Sequence, residues 1–298
     1  MSSHAHHAHQ HHQAHESDGD GIDLDWEAMA EQLERQGELH RGVVEGTAGW
    51  LAEWWAERRG GPVARVLDIG SGPGIAAAVF AEAFPDAEVV AVDGAPALLE
   101  RAAARGVRTQ RVDLPEGLGE VGTADLVWAS RVVHHLGDQQ AALEALAGLL
   151  RPGGLLAISE GGLPPRFLPR NIGIGRPGLQ ARLDAANEVW FQEMRDALPD
   201  ATEAVDDWLG MLAKAGLTPV GSRSFLTDLP APLGADAREH LHGTLTRVRE
   251  VLPEYLDAED VAAVDALLAP DAPTSVRHRP DAFYLTATTV HVAARPAG

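Results

Sequence analysis

The stretch Arg65-Val66-Leu67-Asp68-Ile69-Gly70-Ser71-Gly72-Pro73-Gly74 decides the fold of this chain. Its first five residues have the apolar, β-branched character of a short buried strand, and residues 75–84 continue as an Ala-rich helical pattern. The glycines between them permit positive φ angles and let a ligand approach the backbone, while the start of the following helix offers unpaired N–H groups. The stretch therefore predicts a strand, turn and helix with a ligand site at the turn.

Strand-like and helix-like patterns alternate after this turn. Each strand-like run is short and mostly apolar, and helical patterns follow several of them. The predicted strands are 88–92, 107–112, 124–130 and 155–159, and the predicted helices are 96–105 and 139–150. Such alternation predicts an α/β fold with a doubly wound, mostly parallel sheet.

Asp93 directly follows the second of these predicted strands and lies 25 positions after Asp68. At this spacing, the second strand of a βαβ unit places a carboxylate beside a ribose bound at the first turn. A carboxylate can accept hydrogen bonds from both hydroxyl groups of a diol. The pair of aspartates therefore indicates a ligand that contains a nucleoside.

Two motifs in this region resemble those of class I S-adenosylmethionine (SAM)-dependent methyltransferases. Val66 to Gly74 resembles the first motif of that family, and Leu149-Leu150-Arg151-Pro152-Gly153-Gly154 resembles a second motif, which precedes the fifth strand. The similarity covers about residues 63–160. It implies a seven-stranded class I methyltransferase fold, with 218–225 as the sixth strand and 282–293 as an antiparallel seventh. It also implies SAM as the cofactor and methyl transfer as the activity.

The resemblance assigns the cofactor-binding residues. Each of them lies in the glycine turn or near the end of a predicted strand. By resemblance, the methionine part of SAM would be surrounded by Asp68, Gly70, Gly72 and Gly74, the ribose would be held by Asp93 next to Gly94, the adenine would contact Asp113 and Leu114, and the methionyl end would lie beside Ser130.

A nicotinamide-dependent reductase would share the opening strand, glycine turn and helix. Its dinucleotide fingerprint requires a third glycine where this chain has Ile75. A short-chain reductase also needs Tyr and Lys one helical turn apart, yet the tyrosines are Tyr255 and Tyr284 and the single lysine is Lys214. The sequence therefore favours a methyltransferase over a reductase. A SAM-binding or regulatory protein without catalysis stays open as an alternative.

Composition limits the partners of the protein. The 298 residues carry 44 acidic and 24 basic side chains, a formal net charge of −20, which would repel nucleic acids in the absence of a local basic patch. The absence of cysteine excludes thiolate zinc sites and cysteine nucleophiles. No apolar run is long enough to span a membrane, so a cytoplasmic protein with a small-molecule acceptor is expected. Its oligomeric state is left open by the sequence.

Four segments lie outside the shared core. Residues 1–21 are rich in histidine and acidic residues and are expected to be disordered, as a tag or a metal-binding tail. Residues 22–60 show helical apolar spacing and are expected to form an N-terminal cap on the methyltransferase domain of 61–298. Within that domain we expect a lid, 161–200, consisting of a Gly- and Pro-rich loop and a helix, and a helical insertion, 234–270.

Two groups of side chains are candidates for chemistry. His134 and His135 follow the fourth predicted strand, and an imidazole there could take a proton from the acceptor. Three arginines on the predicted lid, which could clamp an acidic acceptor, are Arg166, Arg170 and Arg176. No metal site is expected, because His240 and His242 would project in different directions from a helix.

Overall fold

The computed structural model describes residues 29–297 and contains one seven-stranded sheet. The strands are β1 (Arg65–Ile69), β2 (Glu88–Asp93), β3 (Arg108–Arg111), β4 (Ala124–Ser130), β5 (Leu150–Arg166), β6 (Thr218–Leu229) and β7 (Tyr284–Ala294). Their order across the sheet is β3-β2-β1-β4-β5-β7-β6. The first five run parallel, and β7 pairs antiparallel with both β5 and β6. The predicted fold class and the antiparallel seventh strand are thereby confirmed.

Helices cover both faces of the sheet and its carboxyl edge. They are α1 (Ala30–Leu39), α2 (Arg41–Arg58), α3 (Ile75–Ala83), α4 (Pro96–Ala104), α5 (Gln139–Gly148), α6 (Leu179–Asp196), α7 (Trp208–Lys214), α8 (Ala235–Val251) and α9 (Ala258–Leu268). None of these helices is long and apolar enough to cross a membrane.

Successive residues of β1 enter two different apolar cores, as the two-residue repeat of a strand requires. Val66 belongs to the cluster that contains Trp50 of α2 and Phe80 of α3. Leu67 belongs to the cluster on the opposite face, which contains Leu143 of α5. Burying each such side chain contributes roughly 1.5–3 kcal/mol, so both faces fix the sheet and hold its carboxyl ends in place.

Strands β5 and β6 are longer than the sequence predicts. Residues 161–166, predicted as the loop that opens the lid, instead continue β5 and pair with β7, with Leu163 opposite Ala287. Gly162 allows this because its φ is +120° and a Cβ atom there would lie 2.1 Å from the carbonyl oxygen of Ala287. The prediction of a loop over these residues is wrong, because glycine here accommodates an irregularity within a strand.

A third apolar core joins the helices beyond the sheet. Leu183 of α6, Leu241 of α8 and Val264 of α9 belong to it, together with Tyr284 at the start of β7. Helix α1 packs beside α8. These helices stand over the carboxyl edge of the sheet, where they form one wall of the site. The His-rich tail and the first part of the expected cap lie outside the described residues.

Candidate active site

A cavity of about 1070 Å³ lies at the carboxyl ends of β1, β2 and β4. The glycine turn after β1 and residues of helices α1 and α8 line it. Ligand pockets for drug-sized molecules typically occupy roughly 300–1000 Å³, so this cavity has room for a nucleoside cofactor and a small second molecule.

The three glycines of the turn have backbone conformations that disfavour other residues. Their φ angles are +65° at Gly70, +52° at Gly72 and +78° at Gly74. A Cβ atom on Gly70 would lie 2.4 Å from Cγ2 of Val132, and one on Gly74 would lie 2.5 Å from Cβ of Ala102. The turn can therefore pack against Val132, which follows β4, and against α4 only with glycine, and this packing brings the start of α3 to the cavity.

Asp93 holds this turn in place. Its carboxylate accepts hydrogen bonds from the backbone N–H of Gly72 at 2.8 Å and of Ala95 at 2.9 Å. Gly94 follows, and a Cβ atom there would lie 3.0 Å from Oδ1 of Asp113. All these residues except Ala95 were predicted from the sequence. Asp93, Gly94, Asp113, Leu114 and Ser130 all line the same cavity.

Asp68 is the most unusual group at this end of the cavity. Its side chain is 2% exposed, and its Oδ2 atom has no hydrogen-bond partner among the described residues. The pKa of this carboxyl is raised to about 7, chiefly by burial and also by the nearby Asp93, whereas the backbone N–H of Ala77 opposes the shift. An unpaired buried carboxylate is costly unless a ligand supplies a cation. The amino group of SAM is such a cation, so the residues present fit this cofactor.

His134 lies in a short 3-10 turn, residues 133–135, and the side chain of Glu160 holds this turn in place. Glu160 is 4% exposed and accepts hydrogen bonds from the backbone N–H of Val132 at 3.1 Å and of Val133 at 3.0 Å. Its other oxygen lies 2.8 Å from Nδ1 of His134. An ionised carboxylate only accepts, so Nδ1 carries the proton and Nε2 keeps a free lone pair.

Arg195 of α6 fixes the same turn from the other side. Its guanidinium donates to the carbonyl oxygens of His134 at 2.7 Å and of Leu136 at 2.8 Å. His135 also lines the cavity, but burial lowers its pKa to about 4, with further lowering by His134 and by positive neighbours. The two adjacent histidines therefore differ: His134 is oriented by a carboxylate, and His135 is held neutral.

Three neutral aromatic side chains form the floor of the cavity opposite the glycine turn. Tyr284 lies between His40 and His240, with ring centroids 5.9 and 5.6 Å away. Burial lowers the pKa of each histidine to about 4, and Arg131 lowers both further. Burial also raises the pKa of Tyr284. This floor provides hydrogen-bonding groups without charge, and Arg131 supplies a positive charge beside them.

A second cavity, of about 880 Å³, meets the first one. Both are lined by Arg131, His134, Ser159 and Thr288. The second cavity extends towards Phe191 of α6 and the exposed segment 201–206. Across residues 29–297, no group of three or more His, Asp and Glu side chains could hold a metal ion in either place.

Comparison with known proteins identifies the domain. A family model described as a methyltransferase domain matches residues 67–156, which include the glycine turn, Asp93, Asp113 and His134. The chain contains a class I SAM-dependent methyltransferase domain. The matched residues of this methyltransferase domain form β1 to β4 and the first part of β5, the strands at whose ends the cavity lies.

Curated relatives of this methyltransferase domain are trans-aconitate 2-methyltransferases. That of Methylobacterium radiotolerans is 35% identical over 159 residues, covering 48% of this chain and 58% of the relative. That of Pseudomonas aeruginosa strain PAO1 is 30% identical over 158 residues, covering 48% and 57%. The chain thus spans just over half the length of these relatives.

Among solved structures, an O-methyltransferase family protein from Burkholderia thailandensis aligns with 14% identity over 88% of this chain and 59% of that one, with a TM-score of 0.46.

The three arginines expected to clamp an acceptor are not brought to the cavities of the methyltransferase domain. Arg166 ends β5, Arg170 lies in the connection to α6, and both are exposed. Arg176 pairs with Asp257 and, at 3.0 Å, with Asp260, so its charge is already neutralised. The acidic partners come from a segment far along the chain, which loop composition does not reveal.

The side chains that sequence reasoning missed, and that the structure places in or beside the cavities, include Arg131, Glu160, Arg195 and His240. A signal existed for the first two. Ser130 ends β4 and pairs with Ser159 of β5; Arg131 directly follows β4, and Glu160 directly follows the predicted strand 155–159. The rule that singled out Asp93 after β2 applies equally to these positions.

Proposed function

We propose that this protein transfers the methyl group of SAM to a hydroxyl oxygen of a small acidic molecule. The observation that carries the proposal is the unpaired, buried Oδ2 atom of Asp68 beside the positive-φ glycine turn. A nucleoside that carries a cationic amino group satisfies that atom, and SAM has both parts. The bound sulfonium supplies an activated methyl group.

The residues that would hold the cofactor follow from the cavity. Asp68 would accept hydrogen bonds from its amino group, Asp93 would accept them from the ribose hydroxyls, and Asp113 with Leu114 would border the adenine. Gly72 leaves open space above the turn, since a Cβ atom there would meet nothing within 4 Å. Ser130 lies at the end of β4, towards the remaining half of the cavity.

That remaining half is where the acceptor would bind. Its walls come from three segments outside the matched domain: α1 contributes Gln32, the segment after β5 contributes Phe167, and α8 contributes His240. We therefore propose that the described part of the cap (29–60), the lid of 161–200 and the insertion of 234–270 together enclose the acceptor. A net charge of −20 also favours a free metabolite over a nucleic acid as the acceptor.

His134 would remove the proton from the reacting hydroxyl group. Its Nδ1–H donates to Glu160, so the Nε2 lone pair is the one that can accept a proton. A carboxylate acceptor would need no base, so an oriented base favours a hydroxyl nucleophile. Glu160 acts as a positioning residue, because it fixes the tautomer of the ring and stabilises the positive charge that develops on it. General base catalysis of this kind contributes roughly 10²–10⁴-fold.

The acidic character of the acceptor is supported by the relatives. They are named for trans-aconitate, a carboxylate, and this chain resembles them over its cofactor-binding half. The cavity of this chain contains Arg131, which offers a positive charge next to His134.

The test has a binding arm and a transfer arm. Calorimetry with S-adenosylhomocysteine, the demethylated product, should show binding that Asp68→Asn weakens by about 10- to 150-fold, as expected for losing a charged hydrogen bond of about 1.5–3 kcal/mol. Asp86→Asn, at an exposed aspartate before β2, is the matched control and should bind like the wild type.

In the transfer arm, labelled methyl groups from SAM should appear on hydroxy acids and not on the same acids without the hydroxyl group. Binding of a nicotinamide dinucleotide in place of S-adenosylhomocysteine would overturn the proposal. Tight cofactor binding with no transfer to any acceptor would instead indicate a regulatory SAM-binding protein.

A further inference from the structure

Most arginines in this acidic chain are already bound to carboxylates or carbonyl oxygens, but Arg131 is not. It directly follows β4 and lines both cavities. Its side chain has no hydrogen bond or ion pair with any other residue in the described range, 29–297. A guanidinium group left without an anion, in a cavity of a protein with a net charge of −20, is a candidate anion-binding group.

The backbone of Arg131 is held in an unfavourable conformation. Its φ is +56°, in the left-handed region that favours glycine, and this costs roughly 1–2 kcal/mol for a residue with a Cβ atom. Its N–H donates to the carbonyl oxygen of Ser159 at 3.0 Å, which keeps the residue at the edge of the sheet. Glycine would fit this position without strain, so packing does not explain an arginine here.

Neighbouring groups determine which ring nitrogens of His40 and His240, beside Arg131, carry a proton. Nδ1 of His40 donates to the carbonyl oxygen of Gln36 at 2.9 Å, so its Nε2 accepts from the hydroxyl of Tyr284 at 3.3 Å. The amide nitrogen of Gln32 donates to the carbonyl oxygen of His240 at 3.1 Å and lies 3.2 Å from its Nδ1. That nitrogen is a donor, so Nδ1 of His240 accepts and Nε2 carries the proton.

The Nε2–H group of His240 is therefore a donor that lacks an acceptor within the described part of the chain. His240 is 4% exposed and lines the cavity. An oxygen atom of a ligand in the cavity could accept a hydrogen bond from this group. A cation and a neutral N–H donor thus share one end of the cavity, which is the combination that a carboxylate requires.

We infer that Arg131 and His240 together bind a carboxylate group of the acceptor. This inference rests on the proposed function, because it names the residues that recognise the acidic acceptor. Arg131 supplies the charge and His240 supplies a directed hydrogen bond. The group they hold anchors the acceptor and differs from the oxygen that is methylated beside His134.

A second cation extends the recognition to more than one carboxylate. Arg247 of α8 lines the same cavity, lies 5.4 Å over the ring of Trp190 and has no ion pair within the described residues. Its guanidinium lies 4.0 Å from Sδ of Met29. The geometry therefore points to a dicarboxylate or tricarboxylate as the class of acceptor.

Calorimetry with S-adenosylhomocysteine present at saturation tests this inference. The probes are citrate, trans-aconitate and succinate, with the trimethyl ester of trans-aconitate as the uncharged control. At least one carboxylate should bind the wild-type protein, and the ester should not. Arg131→Gly should weaken that binding tenfold or more while leaving the melting temperature equal or higher, because glycine accepts the φ of +56°. His240→Phe should weaken it as well.

Arg166→Gln is the matched control, since it removes an exposed arginine elsewhere on the sheet. Equal carboxylate binding by Arg131→Gly and Arg166→Gln would overturn the inference, and so would equal binding of the ester or no binding of any of the three acids. Failure of the wild type to bind S-adenosylhomocysteine would instead overturn the proposed function. The two failures are distinguished because cofactor binding is measured first.

Discussion

The pH dependence of cofactor binding should be set by Asp68. Burial raises the pKa of its carboxyl from 3.8 to about 7, with the nearby Asp93 acting in the same direction. Between about pH 4 and pH 7 the native protein therefore binds more protons than the unfolded chain, so this group makes the ligand-free protein less stable as the pH rises through that window. A cationic ligand has the opposite preference, because it binds the ionised carboxylate.

The expected size of the effect follows from the ionised fraction of that carboxyl. If only the ionised form binds the ligand, the apparent affinity is reduced by that fraction. Below a pKa of about 7 the fraction changes about tenfold per pH unit, so affinity should rise about tenfold between pH 5 and pH 6 and level off above about pH 7. One proton should be released per ligand bound at the lower pH.

Titration calorimetry with S-adenosylhomocysteine in buffers of different ionisation enthalpy measures both the affinity and the proton release. Asp68→Asn should remove the pH slope and the proton release together. Asp113→Asn changes an exposed carboxylate in the same cavity and should keep the slope. A slope that survives in Asp68→Asn, or an affinity that falls as the pH rises from 5 to 6, would refute the reasoning.

Three further predictions concern the 3-10 turn of residues 133–135 and the glycine turn of residues 70–74. Glu160→Ala leaves two buried N–H groups unpaired and should lower the free energy of unfolding, measured by urea denaturation, by roughly 2–6 kcal/mol. Glu53 is exposed, so Glu53→Ala should change the free energy of unfolding by less than about 0.5 kcal/mol. Gly74→Ala should weaken cofactor binding about tenfold or more in calorimetry, since the new Cβ atom would lie 2.5 Å from a side chain of α4. Gly60 has a similar φ angle but open surroundings, so Gly60→Ala should leave cofactor binding unchanged. His134→Asn should slow single-turnover methyl transfer by about 10²-fold or more without changing the Kd of SAM. Variants that behave like their controls, or a loss of SAM binding in His134→Asn, would contradict these expectations.

The fold could be predicted from the sequence because its signals are local. Fully buried parallel strands are continuous apolar runs, and the glycine turn marks the start of α3. The lengths of β5 and β6 could not be predicted, because they depend on pairing with β7. Leu163 and Leu226 both lie opposite Ala287, and no local pattern links these three positions.

The proposed cofactor half and acceptor half of the site also differ in how far local sequence signals reveal them. The sequence could group the residues of the proposed cofactor half, since each lies in the glycine turn or near the carboxyl end of a strand. The proposed acceptor half is assembled from distant segments: His40 follows α1, Arg131 follows β4, His240 lies on α8 and Tyr284 begins β7. A sequence shows that arginines and histidines are present, but which of them remain unpaired is decided by tertiary contacts such as that of Arg176 with Asp260.

The meeting of the two cavities has a consequence for the order of events in a turnover. The second cavity reaches Arg131 and His134 from the side of α6, whereas the glycine turn borders only the first. An acceptor can therefore arrive, and a methylated product depart, without crossing the place of the cofactor. We expect a random kinetic sequence, in which neither substrate must wait for the other, in contrast to a single-mouthed pocket that imposes an obligatory order.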